Sequence, residues 1–209
     1  MHLFLSSYRA GQYPDRLKEF FSDPQIAVLT NAKDYKTSRE RKESVDEVLD
    51  FFRDLKFQAV EIDLRPYFGK PQMAIKELSK YKSFWVAGGN TFVLRKALKY
   101  SGVDNWLLNK VHQDELRYGG ESAGAVLATP TFTGVQFGDD PDIIPKGYGS
   151  ETLWKGLGFV PYHIVPHYKS EWLGAEDMIK ALRHKELAYR TLTDDQVIIV
   201  DGDKEEILT

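Results

Sequence analysis

Along the first 120 residues, short apolar runs alternate with amphipathic stretches. Leu3 to Ser7 (LFLSS) reads as a strand and PDRLKEFFSD as the helix that follows it. Ile26 to Ala32 is an apolar run ending in polar turn residues. Ser44 to Leu55 then carries apolar residues at helical spacing behind a serine cap. Ala59 to Leu64 is the next strand, and PQMAIKELSKY the next helix. SFWVAGGN reads as a strand plus turn, TFVLRKALKYSG as a helix closed by Gly102, and VDNWLLNKVHQDE as another helix. RYGG then returns the chain to the sheet. Strands alternating with crossover helices imply an α/β fold in three layers, a mostly parallel central sheet covered on both faces. After Ala128 the period shortens. TFTGVQF, HIVPHY, RTLTDD, QVIIVDG and EEILT read as β-like pieces, with one helix near AEDMIKALRH. This predicts a β-rich C-terminal part of the same sheet, ending in a hairpin around Asp201-Gly202. No repeat, low-complexity tract or linker interrupts residues 1–209, so one domain is expected.

Composition narrows the function classes. With 28 basic and 31 acidic residues mixed along the chain, no concentrated basic face marks a nucleic-acid binder. The run Thr37 to Lys42 (TSRERK) reads as a solvated segment. The absence of cysteine excludes disulfides, cysteine-ligated zinc and a cysteine nucleophile together. The five histidines lack the H-E-x-x-H spacing of a metalloprotease helix. No apolar stretch approaches the ~20 residues of a membrane span. MHLFLSSYRAG turns polar at once, unlike a signal peptide, so a cytoplasmic protein is expected.

Gly120-Glu121-Ser122-Ala123-Gly124 fits G-x-S-x-G, which sets a serine on a sharp strand-to-helix turn with its hydroxyl exposed. A serine attacking a carbonyl needs donors aimed at the developing oxyanion. The N–H of Ala123 is one. Gly88 or Gly89, in a second glycine-rich turn at a strand end, supplies the other, because a residue without Cβ lets the backbone approach a substrate. That turn also reads as a phosphate-cradling loop or a tight turn in which Asn90 or Thr91 caps the next helix. For a base, His112 and His184 lie on charged helical stretches. His163 and His167 flank IVP, and Pro166 disrupts the strand register between them. His167, after the strand, is better placed at a site rim. Two aspartate pairs could orient the base, Asp139/Asp140 and Asp194/Asp195, and spacing does not choose between them.

VAGGNTFVL (Val86 to Leu94), GESAGAVLATP (Gly120 to Pro130), VPHYKS (Val165 to Ser170) and LTDDQVIIVDG (Leu192 to Gly202) occur in the order found in the peptidase E family. The chain resembles those serine peptidases of aspartyl dipeptidase type, related to cyanophycinases, over nearly its whole length. The resemblance implies a fold like class I glutamine amidotransferases, with serine in place of the usual cysteine. It implies Ser122 as nucleophile, His167 as base, Asp194 as the third member, and Asp140 near an acidic residue implicated in activity. The oxyanion donors map onto Ala123 and the Gly88–Gly89 turn, and Asn90, Glu121 and Asp140 are expected to bind substrate. The implied reaction is hydrolysis of short peptides through an acyl-enzyme, with no metal or cofactor, a small peptide as substrate and neither nucleic acid nor membrane as partner. Cyanophycinase-like β-aspartyl peptidases or esterases would share this machinery, and a non-catalytic amidotransferase-like binding domain would lack part of it. Two departures bear on specificity. Glu121 stands where enteric aspartyl dipeptidases carry a bulky aromatic residue. Their arginine shortly after the elbow has no counterpart in TPTFTGVQF, leaving Lys169 or Arg190 as substitutes for binding a substrate carboxylate. Glu121 itself either binds a substrate's α-ammonium group or is a partly buried carboxylate satisfied by local backbone or a basic neighbour.

Overall fold

The central strands are buried continuously, and their alternate residues pack into two cores. The computed structural model describes residues 1–170 and 174–209. In chain order the elements are β1 (His2–Ser6), α1 (Pro14–Phe20), β2 (Gln25–Leu29), α2 (Ser38–Asp54), β3 (Gln58–Ile62), α3 (Pro71–Leu78) and β4 (Ser83–Val86). They continue with α4 (Thr91–Ser101), α5 (Asp104–His112), β5 (Arg117–Glu121), α6 (Ala123–Val126), β6 (His163–Val165), α7 (Gly174–His184), β7 (Tyr189–Thr191), β8 (Val197–Asp201) and β9 (Lys204–Leu208). Seven strands form one sheet in the order β3-β2-β4-β5-β1-β8-β9. The first five strands of the chain pair in parallel, and β8 and β9 are antiparallel.

Leu3, Leu5, Ala27, Leu29, Phe84 and Val86 face α3 to α7 in one core. Phe4, Ile26, Val28 and Trp85 face α1 and α2 in the other. Burying a side chain of this size stabilises the fold by roughly 1.5–3 kcal/mol, so both faces must be covered. On the second face Trp85 packs edge-on against Phe52, ring centroids 5.2 Å apart. A Cβ on Gly119 would lie 2.4 Å from its ring. That explains the first glycine of the strand. Among the described residues, no helix is long and apolar enough to cross a membrane.

Three expectations are corrected. The second helix begins at Ser38, not Ser44: Thr37 accepts from the Glu40 N–H while the Glu40 side chain accepts from Thr37, a capping box. Its first two turns carry no apolar residue, so periodicity alone started it late. Ser38 to Lys42 of that solvated run are therefore helical, exposed except for Arg41, which is drawn inward to Asp34 (2.6 Å) and Glu61 (3.0 Å). TFTGVQF is not a strand; Thr131 pairs only with Lys155, and Gly134 at φ 86° turns the chain into a 3-10 turn at Val135–Phe137. Finally, β6 and β7 form a separate two-stranded parallel sheet rather than extending the main one, while the expected hairpin forms as β8 and β9.

Candidate active site

At the carboxyl end of β5 the chain turns through Ser122 with φ 49° and ψ −111°. Such backbone costs about 1–3 kcal/mol and persists only where its surroundings impose it. Here the surroundings are identifiable. The Ser122 N–H donates to the Ser6 carbonyl (3.0 Å). The buried Tyr118 hydroxyl donates to the Gly124 carbonyl (2.6 Å). A Cβ at Gly120 would sit 2.6 Å from Gly124 backbone, and one at Gly124 only 2.1 Å from the Val86 carbonyl oxygen. The glycines let the elbow lie directly on the ends of β4 and β5.

His167 follows β6 and Pro166, and is itself in the left-handed region at φ 57°. Its Nε2 lies 2.9 Å from Ser122 Oγ and its Nδ1 2.7 Å from Asp194 Oδ1. With Nδ1 protonated, the ring donates to Asp194 and presents a lone pair to the serine hydroxyl. The small sheet aligns the two loops: β6 runs into His167, β7 runs toward Asp194, and the Tyr168 N–H donates to the Leu192 carbonyl (3.0 Å).

Ser7, one residue past β1, was not singled out by sequence reasoning. Its hydroxyl donates to Asp194 Oδ1 (2.6 Å), accepts from the His167 backbone N–H (2.7 Å) and lies 3.2 Å from Nδ1. Asp194 is 42% exposed, so this buried hydroxyl is its fixed partner besides the ring. The only sequence signal was polarity at the end of an apolar strand.

Gly88 and Gly89 lie beside the serine. A Cβ at Gly88 would be 3.1 Å from Ser122 Cβ, and Gly89, at φ 143°, would drive one to 2.3 Å from the Ala32 carbonyl oxygen. Among the described residues, the N–H groups of Gly88, Gly89 and Ala123 have no backbone or side-chain acceptor. That leaves them available to an oxyanion. Two recesses flank Ser122. The first, about 240 Å³, includes Tyr35, Gly89, Ala123, Asp139 and Met178. The second, about 220 Å³, includes Ser7, Arg9, Lys33, Lys36, Glu121 and His167.

Several sequence-based placements change. Asn90 is buried with both ends of its amide committed: Oδ1 accepts from the Val93 N–H and Nδ2 donates to the Asp140 carbonyl. It caps α4 and has little left for a substrate. Asp140 is exposed and holds its own turn through the Asp142 N–H (2.9 Å). Its neighbour Asp139 is the carboxylate that lines the recess, accepting from the Thr91 N–H (2.8 Å). Burial raises the Asp139 carboxyl above the usual range, offset in part by Thr91 and by His167. Adjacent aspartates cannot be distinguished by pattern; the turn geometry decides which one points in.

Glu121 is buried, with Oε2 accepting from the Arg9 N–H (2.8 Å) and Oε1 3.3 Å from the Arg9 guanidinium. It is the carboxylate satisfied by local backbone and a basic neighbour, not a free receptor for ammonium. His163 is buried, its Nε2 2.9 Å from Thr131 Oγ1 and its Nδ1 3.2 Å from the Ala188 carbonyl oxygen, and burial lowers its pKa. Arg190 lies over the Tyr162 ring and Lys169 over Tyr168, so neither is committed to the serine. The cations beside Ser122 are instead Arg9, Lys33 and Lys36. Among the described residues, no three His, Asp or Glu side chains gather to hold a metal ion.

The chain is 32% identical over 133 residues to the uncharacterized peptidase Lin0382 of Listeria innocua, covering 63% of this chain and 60% of that protein. It is 35% identical over 94 residues to the uncharacterized peptidase Lmo0363 of Listeria monocytogenes, covering 45% and 43%. The matches thus span about half the length of these relatives. The fold resembles that of a Listeria monocytogenes EGD-e protein assigned to peptidase E, with a TM-score of 0.78, 24% identity and 99% and 97% of the two chains covered. A peptidase from an acI-B1 Actinobacterium superposes with a TM-score of 0.70 at 11% identity, covering 99% and 86%. The model of peptidase family S51 matches residues 12–208, nearly the entire chain, and the protein belongs to that family.

Proposed function

We propose that the protein is a serine peptidase that hydrolyses short peptides through Ser122, His167 and Asp194. The single observation that carries the reading is the unbroken hydrogen-bonded line from Asp194 through His167 to a serine held on a strained elbow. In this reading Ser122 Oγ attacks the scissile carbonyl and its proton passes to His167 Nε2. The N–H groups of Ala123 and the Gly88–Gly89 turn stabilise the oxyanion, and the imidazolium is held by Asp194. The same nitrogen then protonates the departing amine. Water, deprotonated by His167, releases the acyl group. Membership of peptidase family S51 favours a peptide over other acyl substrates.

The test is hydrolysis of a dipeptide and tripeptide panel by wild type and Ser122→Ala. Losing the nucleophile of such a unit typically costs several orders of magnitude in turnover. The folded variant should be inactive and should no longer be labelled by a fluorophosphonate. Wild-type turnover by purified Ser122→Ala would refute the assignment.

A further inference from the structure

Resting on that peptidase reading, the two recesses beside Ser122 are not equivalent. Gly89 and Ala123 line the first, whereas Gly88 and the base His167 line the second. The group that protonates the leaving amine must lie beside that amine, within hydrogen-bond reach. The leaving residue therefore occupies the second recess. When that residue is the peptide's last, its α-carboxylate is only two bonds from the scissile nitrogen.

The ionic groups lining this recess are Arg9, Lys33, Lys36, Glu47 and Glu121, three cations against two carboxylates. Arg9 is committed to Glu121, and Lys36 donates to Ser44 Oγ (2.7 Å). Lys33 stands apart: among the described residues its ammonium makes no hydrogen bond or ion pair. It extends from a 3-10 turn, Asn31–Lys33, whose Ala32 carbonyl accepts from the Asn90 N–H (2.8 Å). The turn is thereby fixed to the loop that carries Gly88 and Gly89. A half-buried ammonium with no carboxylate in direct contact is costly to maintain, and a carboxylate arriving at hydrogen-bond distance lowers that cost.

We propose that Lys33 binds the free α-carboxylate of the leaving residue and thereby selects substrates whose scissile bond precedes the C-terminal residue. Burial holds the Lys33 ammonium below the usual lysine range, with Glu121 and Glu47 pulling it back up and Lys36 and Arg9 pressing it down, in keeping with a cation that awaits an anion.

The experiment compares three substrates sharing one acyl residue: a dipeptide ending in Leu with a free carboxylate, its C-terminal amide, and an amide ending in Asp. Each is assayed with wild type, Lys33→Met and Lys33→Arg. Wild type should favour the free acid over the Leu amide by roughly ten- to a hundredfold in kcat/KM. Lys33→Met should collapse that ratio toward one, and Lys33→Arg should restore most of it. A ratio near one in wild type, or one untouched in Lys33→Met, overturns the proposal. So does preferential rescue by the Asp amide, which would mean the cation reads a side chain. Hydrolysis of the Leu amide that is lost in Ser122→Ala reports the peptidase reading separately. If no substrate is cleaved, that reading fails and takes this one with it.

Discussion

Ser7→Ala isolates a contact whose effect on catalysis can be worked out in advance. The hydroxyl touches neither Ser122 nor the oxyanion donors; it donates to Asp194 Oδ1 and accepts from the His167 backbone N–H. A hydrogen bond to a charged group contributes about 1.5–3 kcal/mol, but Asp194 is 42% exposed and water will replace part of what is removed. The lower figure is the relevant one, near 1.5 kcal/mol, and each 1.36 kcal/mol of barrier is tenfold in rate. A drop in kcat of about tenfold is therefore expected, with KM changing much less. Because Ser7 acts through Asp194 and the imidazole, the losses should not add. In an Asp194→Ala background, Ser7→Ala should cost almost nothing further. Steady-state kinetics of the two single variants and the double variant measure this directly. An undiminished tenfold loss in the Asp194→Ala background would refute the coupling. A lowered Tm with unchanged kcat would make Ser7 purely structural.

Glu121→Gln should lower Tm, because the buried carboxylate loses its ionic contact with Arg9, and should slow free-amine and N-acetylated peptides equally; a selective loss on free amines would restore the ammonium-binding role. For His163, burial lowers the folded-state pKa below the unfolded value of about 6.5, so its contribution to stability is full above that pH and is lost as pH falls toward the folded value. Thermal melts between pH 7.5 and 5 should thus show a decline that His163→Gln flattens, and an unchanged slope would exclude His163 as its source.

What the sequence could reveal divides along a physical line. The sheet was legible because its central strands are buried on both faces, giving apolar runs such as Ile26–Leu29 and Phe84–Val86 that few other structures require. The elbow was legible because backbone contact at 2.1 Å leaves glycine as the sole residue for position 124. The start of α2 was obscured because a helix needs no apolar residue until it reaches the core, and its first turns do not. Signals weakened further for side chains whose function depends on through-space neighbours. Ser7 and Asp194 are 187 residues apart, and their meeting depends on β1 lying beside β8. Asp139 and Asp140 have the same chemistry, and only the loop's path aims one inward.

The same argument locates specificity in this fold. The elbow serine and the proposed oxyanion donors are set by backbone constraints, so they leave glycine patterns in the sequence. The group proposed to read a substrate's end comes from the loop after β2, where Lys33 sits, and leaves no pattern of its own. Replacing a lysine in such a turn disturbs no strand register and no core. A substitution at Lys33 can therefore alter substrate choice while the elbow, the small β6–β7 sheet and the hydrogen-bonded line through His167 stay in place.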